Sequence, residues 1–154
     1  MQQYKEYYTS NTSQKTLDEG EVKVTFLGTS SLLFEDGNTQ LMIDGFISRP
    51  PLLKMLPFNN VKTDTNTVNE IFRKIGIDHN KLQGLFVAHT HYDHALDVAY
   101  IANQTGTHIY GSESAINIGL GNGINTTQMS VYEVNKAMQF GDFTVTVKSE
   151  AKRS

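Results

Sequence analysis

Along the chain, apolar and polar positions alternate in short blocks that change period several times. "EVKVTFL" sets Val22, Val24 and Phe26 against Lys23 and Thr25, the two-residue period of a half-buried strand. "GTSS" turns the chain, and "SLLFEDGNTQLMID" reads as a second strand, an Asp36-Gly37 hairpin turn and a third strand ending at Asp44. In "TVNEIFRKIGI" the period lengthens: Val68, Ile71, Phe72 and Ile75 share one helical face, Thr67 and Glu70 have capping-box spacing, and Gly76 is placed to stop the helix. "LQGLFVA" is a short apolar run suited to a buried strand. "DHALDVAYIANQTG" returns to helical spacing and closes at Gly106. "THIYG" then predicts a strand, "SESAINIGLGNG" a short helix running out into glycines, and "SVYEV" with "MQFGDFTVTVKSE" two or three further strands, turning around Asn135 and at Gly141-Asp142.

Two stretches lack such a period. Residues 1–20 are polar and read as a lead-in outside the core. "GFISRPPLLKMLPFNN" holds all three prolines, at 50, 51 and 57, and predicts a connecting loop with at most one helical turn. The remainder, residues 21–154, reads as one domain of the α/β class, a mixed sheet carrying a single layer of helices on one face.

Composition narrows the function. The 154 residues suffice for one core and are too few for two ordinary domains. With 13 basic and 16 acidic residues the net charge is -3, so the cationic excess of a nucleic-acid or anionic-membrane binder is missing. There is no cysteine, which removes disulfides and thiolate ligands and leaves imidazole and carboxylate to hold any metal. No apolar run approaches the roughly 20 residues of a membrane helix, so a soluble protein is expected, cytoplasmic or, if a leader has been removed, periplasmic or secreted.

The chemistry gathers in "FVAHTHYDHALD", residues 86–97. Three of the chain's five histidines, His89, His91 and His94, fall within six positions together with Asp93, between a predicted strand and a predicted helix. In extended backbone, residues two apart point the same way, so His89 and His91 can bring two imidazoles to one ion. Asp93 and His94 can then turn to a second ion, in the paired-metal spacing of roughly 3.5–4 Å that clamps the oxygens of a hydrolysed group. Backbone amides in the first helical turn are placed to donate to an anion. A metal would bring the pKa of its water towards about 7, which favours hydrolysis.

"HTHYDH" resembles the H-x-H-x-D-H signature of the metallo-β-lactamase superfamily, preceded here by an apolar strand as in that family. "VTFLGTSSLLFEDGNTQLMIDG" upstream, and "THIYGSESA" and "FGDFTVTV" downstream, extend the similarity over residues 21–149. The resemblance implies an αββα sandwich that binds one or two metal ions, usually zinc and in some members iron or manganese. It implies cleavage of a lactam, thioester, lactone, phosphodiester or related bond in a small molecule whose type it leaves open. Carried over by position, it makes His89 and His91 ligands of the first metal, Asp93 and His94 ligands of the second, and Asp44 a hydrogen-bond acceptor behind a ligand histidine. Hydrolysis is expected to depend on Asp93.

The later ligands of that family have no counterpart. No histidine follows His108, and Arg153 in the closing "KSEAKRS" stands about where a third ligand histidine is expected. The sequence therefore resembles the N-terminal half of the fold. A lone half sheet leaves one face and an edge open, so the expectation is a homo-oligomer in which two copies cover that surface. The alternative function is a catalytically silent domain retained for assembly or partner binding. His79 and His108 read as loop and structural residues, "GLGNG" as a helix exit and not a phosphate cradle, and Tyr92 as either packed on the helix or facing substrate.

Overall fold

A computed structural model describes residues 16–50 and 61–148 of the chain. Six strands form one sheet in chain order: β1 (Lys23–Gly28), β2 (Ser31–Glu35), β3 (Gln40–Ile43), β4 (Leu82–Phe86), β5 (Ile109–Gly111) and β6 (Met129–Val131). The first three make an antiparallel meander, and β3 to β6 run parallel. A parallel pair needs a crossover, and each crossover carries helix. These helices are α1 (Thr65–Ile75) before β4, α2 (Tyr92–Ala95) and α3 (Val98–Thr105) before β5, and α4 (Glu113–Gly121) before β6. A two-stranded hairpin, β7 (Ala137–Phe140) with β8 (Phe143–Thr146), completes the described part. The mixed sheet and its class agree with the reading of the sequence.

The helices lie on one face. Val68, Phe72 and Ile75 of α1, Ala95 of α2, Val98, Ile101 and Ala102 of α3 and Ala115 of α4 bury against Leu33, Met42, Leu85 and Ile109 of the sheet in one cluster. Strand alternation sends Leu41, Phe86 and Tyr110 to the opposite face, where the hairpin covers them through Phe140, Met138, Phe143 and Val145. Phe86, Tyr110 and Phe140 form an aromatic triangle there, with ring centroids 5.0–5.5 Å apart. That second face is thus part-covered by the chain's own hairpin.

Local details depart from the sequence reading in instructive ways. Helix α1 starts two residues earlier than Thr67, and its N-cap is Asp64, whose carboxylate accepts from the Thr67 amide and hydroxyl, in place of a Thr67–Glu70 capping box. Its end is as expected: Gly76 adopts a left-handed φ of 76° and its amide caps Phe72. The helix expected over "DHALDVAYIANQTG" is broken into α2 and α3, because Asp97 between them turns its side chain into the backbone of another segment. Val24 and Phe26 do share one face of β1, with Val22 just before the strand, but on an edge strand and away from the helices these three are 51–61% exposed. The polar lead-in up to residue 15, most of the proline-containing loop and the tail holding Arg153 lie outside the described residues. Among the described residues no helix is long and apolar enough to cross a membrane.

Candidate metal centre

The candidate centre stands at the C-terminal ends of β3 and β4, neighbouring parallel strands whose ends form the usual ligand crevice of such sheets. Register places Ile43 beside Phe86, so the residues just beyond them, Asp44 and Val87–Ala88, leave the sheet side by side. Backbone bonds lock this exit: the Asp44 amide donates to the Phe86 carbonyl at 2.7 Å, and the Ala88 amide donates to Asp44 Oδ1 at 2.8 Å. Asp44 is fully buried and adopts φ 55°, a left-handed conformation unusual outside glycine. Its carboxylate thereby turns across to the segment after β4.

That segment is the histidine cluster. His91 is the N-cap of α2, with extended backbone, and its carbonyl accepts from both the His94 and Ala95 amides at 3.0 Å. The His94 carbonyl in turn accepts from the Gly45 amide at 2.7 Å. The imidazole of His94, about one-fifth exposed, points its Nδ1 at Asp44 Oδ2, 2.7 Å away, and Ser30 Oγ lies 2.8 Å from the same nitrogen. Its Nε2 faces Asp93, with 3.9 Å to Oδ2. His89 and His91 lie beside it: their ring centroids are 4.2 Å apart, His89 and His94 are separated by 5.3 Å, and His89 Nε2 meets His91 Nδ1 at 2.8 Å. Tyr92 is half-exposed and packs edge-on against Phe46.

Sequence reasoning thus located Asp44, His89, His91, Asp93 and His94 in one neighbourhood, and it missed two residues. One is Ser30, in the turn between β1 and β2. The other is Asp97, fully buried, whose carboxylate accepts from the Ile47 and Ser48 amides at 2.7 Å and from the Ser48 hydroxyl at 2.6 Å. The Asp97 amide also donates to the Gly45 carbonyl, so this side chain and its backbone pin the loop that follows Asp44. Asp97 falls within the motif segment already quoted, but its partners are some fifty positions away and leave no local pattern.

Three imidazoles and a carboxylate on one short segment are suitable donors for a divalent ion. The spacing is that of an open, partial set. Among the described residues no three such side chains converge on one point as a closed cage. His89 and His91 share a hydrogen bond at 2.8 Å, whereas two nitrogens on a tetrahedral zinc stand about 3.3 Å apart, from Zn–N bonds of about 2.0–2.1 Å. A cation would have to displace the proton between them and part the rings by about 0.5 Å, a side-chain adjustment at two exposed residues. Asp93 Oδ2 and His94 Nε2 stand 3.9 Å apart, about 0.6 Å wider than two ligand atoms on one tetrahedral ion. The amides foreseen as anion donors are partly spent, since those of His94 and Ala95 already bond His91.

His79 is exposed on a loop, away from these contacts. His108 lies against Ser130 Oγ at 2.8 Å and Tyr110 on the second sheet face. Burial there lowers the His108 pKa and raises that of the Tyr110 phenol, and neither joins the cluster.

A sequence model of the metallo-beta-lactamase superfamily matches residues 24–149. The chain belongs to the metallo-beta-lactamase superfamily. It is 27% identical over 109 residues to a UPF0173 metal-dependent hydrolase of Flavobacterium johnsoniae, covering 71% of this chain and 40% of that protein. Among solved structures, BJP-1, a subclass B3 metallo-beta-lactamase of Bradyrhizobium japonicum, superposes with a TM-score of 0.54 at 14% identity, over 86% of this chain and 49% of the other. Igni18, a metallo hydrolase of the archaeon Ignicoccus hospitalis, gives 0.50 at 22% identity, over 79% and 43%. At these identities the structures establish the shared fold. The chain spans less than half the length of each of these three proteins.

Proposed function

We propose that this chain carries the metal-binding half of a metal-dependent hydrolase, with His89, His91, Asp93 and His94 as the residues that would hold one or two divalent ions, zinc first and iron or manganese as alternatives. The observation that supports this reading most is the gathering of three imidazole rings, 4.2 and 5.3 Å between centroids, at the end of β4, with a buried carboxylate fixed behind one of them. Such an ion supplies Lewis acidity and lowers the pKa of its water. The chain's own part is to orient and to balance charge. On this reading His94 Nδ1–H donates a hydrogen bond to Asp44, which leaves Nε2 free to face the cluster. Asp93, about two-fifths exposed, offers a carboxylate on the open side, where it offsets positive charge and can accept a proton. The substrate class proposed is a small ester, lactam, thioester or phosphodiester.

Metal analysis of protein purified without chelator tests the reading. Near-stoichiometric zinc, iron or manganese that disappears in His89→Ala supports it, as does hydrolysis of a generic phosphodiester or lactone that is lost in Asp93→Ala. Parent and Asp93→Ala hydrolysing at equal rates would sink the catalytic part.

A second reading has its own observation. Val24 and Phe26 of β1, and Val22 just before it, present half-exposed apolar side chains, and beside the hairpin an apolar groove of about 470 Å³ runs between Phe34, Ile43, Phe143 and Val145. Exposed apolar surface of this kind is the mark of an assembly face. On this reading the chain is a module that pairs through its sheet, with a second copy as partner. Light scattering at micromolar concentration separates the cases: a dimer supports assembly, and a well-behaved monomer contradicts it.

A further inference from the structure

Ser30 has no place in the motif that points to a metal, yet it touches both His94 and the carboxylate behind it. Its Oγ lies 2.6 Å from Asp44 Oδ2 and 2.8 Å from His94 Nδ1, while the latter two are 2.7 Å apart, so three polar atoms close a triangle. We propose that Ser30 is a positioning residue for His94: its hydroxyl and the Asp44 carboxylate together hold the Nδ1 proton and present Nε2, unprotonated, to the cluster. The inference rests on the reading of His94 as a metal ligand.

Proton counting fixes the direction of each contact in the triangle. An ionised carboxylate only accepts, so the single hydroxyl proton of Ser30 goes to Asp44. The hydroxyl oxygen then has lone pairs to offer, and the only group left to donate within the triangle is Nδ1–H of His94. Two acceptors converging on one nitrogen exclude the other neutral tautomer, whose bare Nδ1 would face oxygen lone pairs at 2.7 and 2.8 Å. Asp44 alone leaves that choice weaker, because its Oδ1 is already taken by the Ala88 amide and its Oδ2 is the one oxygen facing the ring.

The backbone around the triangle is consistent with a built arrangement. Ser30 sits in a two-residue turn between Gly28 and Ser31, which pair across β1 and β2. An ordinary turn serine faces solvent. Here Thr29, a β-branched residue, takes φ 52° and Asp44 takes φ 55°, so two of the four non-glycine residues with positive φ among the described residues flank this one contact. Both conformations are strained, and strain held by its surroundings collects at functional sites.

The test uses the full chain with Ser30→Ala and Ser30→Thr. Long-range nitrogen–proton NMR on the metal-free protein reads the His94 tautomer directly, and zinc affinity is read by chelator competition. The parent is expected to carry the proton on Nδ1 alone, Ser30→Ala to show both tautomers and about 10-fold weaker zinc binding, and Ser30→Thr to restore both properties. If the alanine variant fails to fold, Ser30→Cys, close in size and a weak hydrogen-bonding group, gives the same reading. An Nδ1-only tautomer in the variant that lacks the hydroxyl overturns the proposal, whatever zinc does. A parent that shows the Nδ1 tautomer but binds no zinc overturns instead the metal reading on which it was built.

Discussion

Replacing Asp97 by alanine should damage this protein more than any change in the histidine cluster. The carboxylate is wholly buried and serves three donors, the Ile47 and Ser48 amides and the Ser48 hydroxyl, at 2.6–2.7 Å. Hydrogen bonds to a charged group contribute about 1.5–3 kcal/mol each, but they share one acceptor and are not additive. Truncation leaves two buried amides without partners, so a net loss of about 3–5 kcal/mol is expected, the range found when buried charge networks are broken. For a domain of this size each kcal/mol moves Tm by about 2–4 °C, which sets the fall at roughly 6–20 °C. Asp97→Asn keeps the shape but aims an amide NH2 at other donors, and should lose about 2–3 kcal/mol. Ser48→Ala, which also removes the acceptor of the Asp64 amide, should couple to Asp97→Ala by at least about 0.5 kcal/mol in a double-mutant cycle. Urea melts of the parent, the three single variants and the double variant provide the values. A loss under about 1 kcal/mol for Asp97→Ala would refute the view that this side chain pins the loop after Asp44.

Three further expectations follow from other parts of the molecule. A methyl group added at Gly45 would lie 3.0 Å from Val98 Cγ2 and Ile101 Cδ1, so Gly45→Ala should cost about 1–3 kcal/mol in a urea melt; an unchanged midpoint would mean the α3 contact yields freely. Burial lowers the pKa of His108, so the unfolded chain binds a proton that the native state resists. Stability should therefore fall as pH drops below the ordinary histidine value of about 6.5, and His108→Gln, retaining a partner for Ser130, should flatten that slope; parallel Tm–pH curves would contradict this. Phe26→Lys, at a position 61% exposed, should leave Tm within about 2 °C of the parent yet abolish any dimer formed through β1, and a dimer that survives it would place the contact elsewhere.

What the sequence made legible was whatever repeats locally. Val68, Phe72 and Ile75 declare a helix because each lies a turn from the next, and Gly76 ends it because left-handed backbone suits glycine. The strand before the histidines and the cluster of His89, His91, Asp93 and His94 were visible for the same reason, all falling within one short segment. What stayed hidden depends on contacts between distant positions. Asp97 breaks an otherwise regular helical pattern because its partners are Ile47 and Ser48, and helical spacing contains no trace of them. Ser30 looks like an ordinary turn residue until β1, β2 and β3 bring it against Asp44. The exposure of Val24 and Phe26 was equally out of reach, since alternation reports that a strand has an apolar face but not what covers it.

The gathered imidazoles are expected to bind a divalent cation. Isothermal titration of zinc into chelator-stripped protein tests it most directly, run beside His89→Ala and His91→Ala. One or two sites per chain are expected in the parent, with affinity weaker by about tenfold or more in each variant and unchanged Tm for the metal-free proteins. Zinc heats that are identical in the parent and both variants would contradict it.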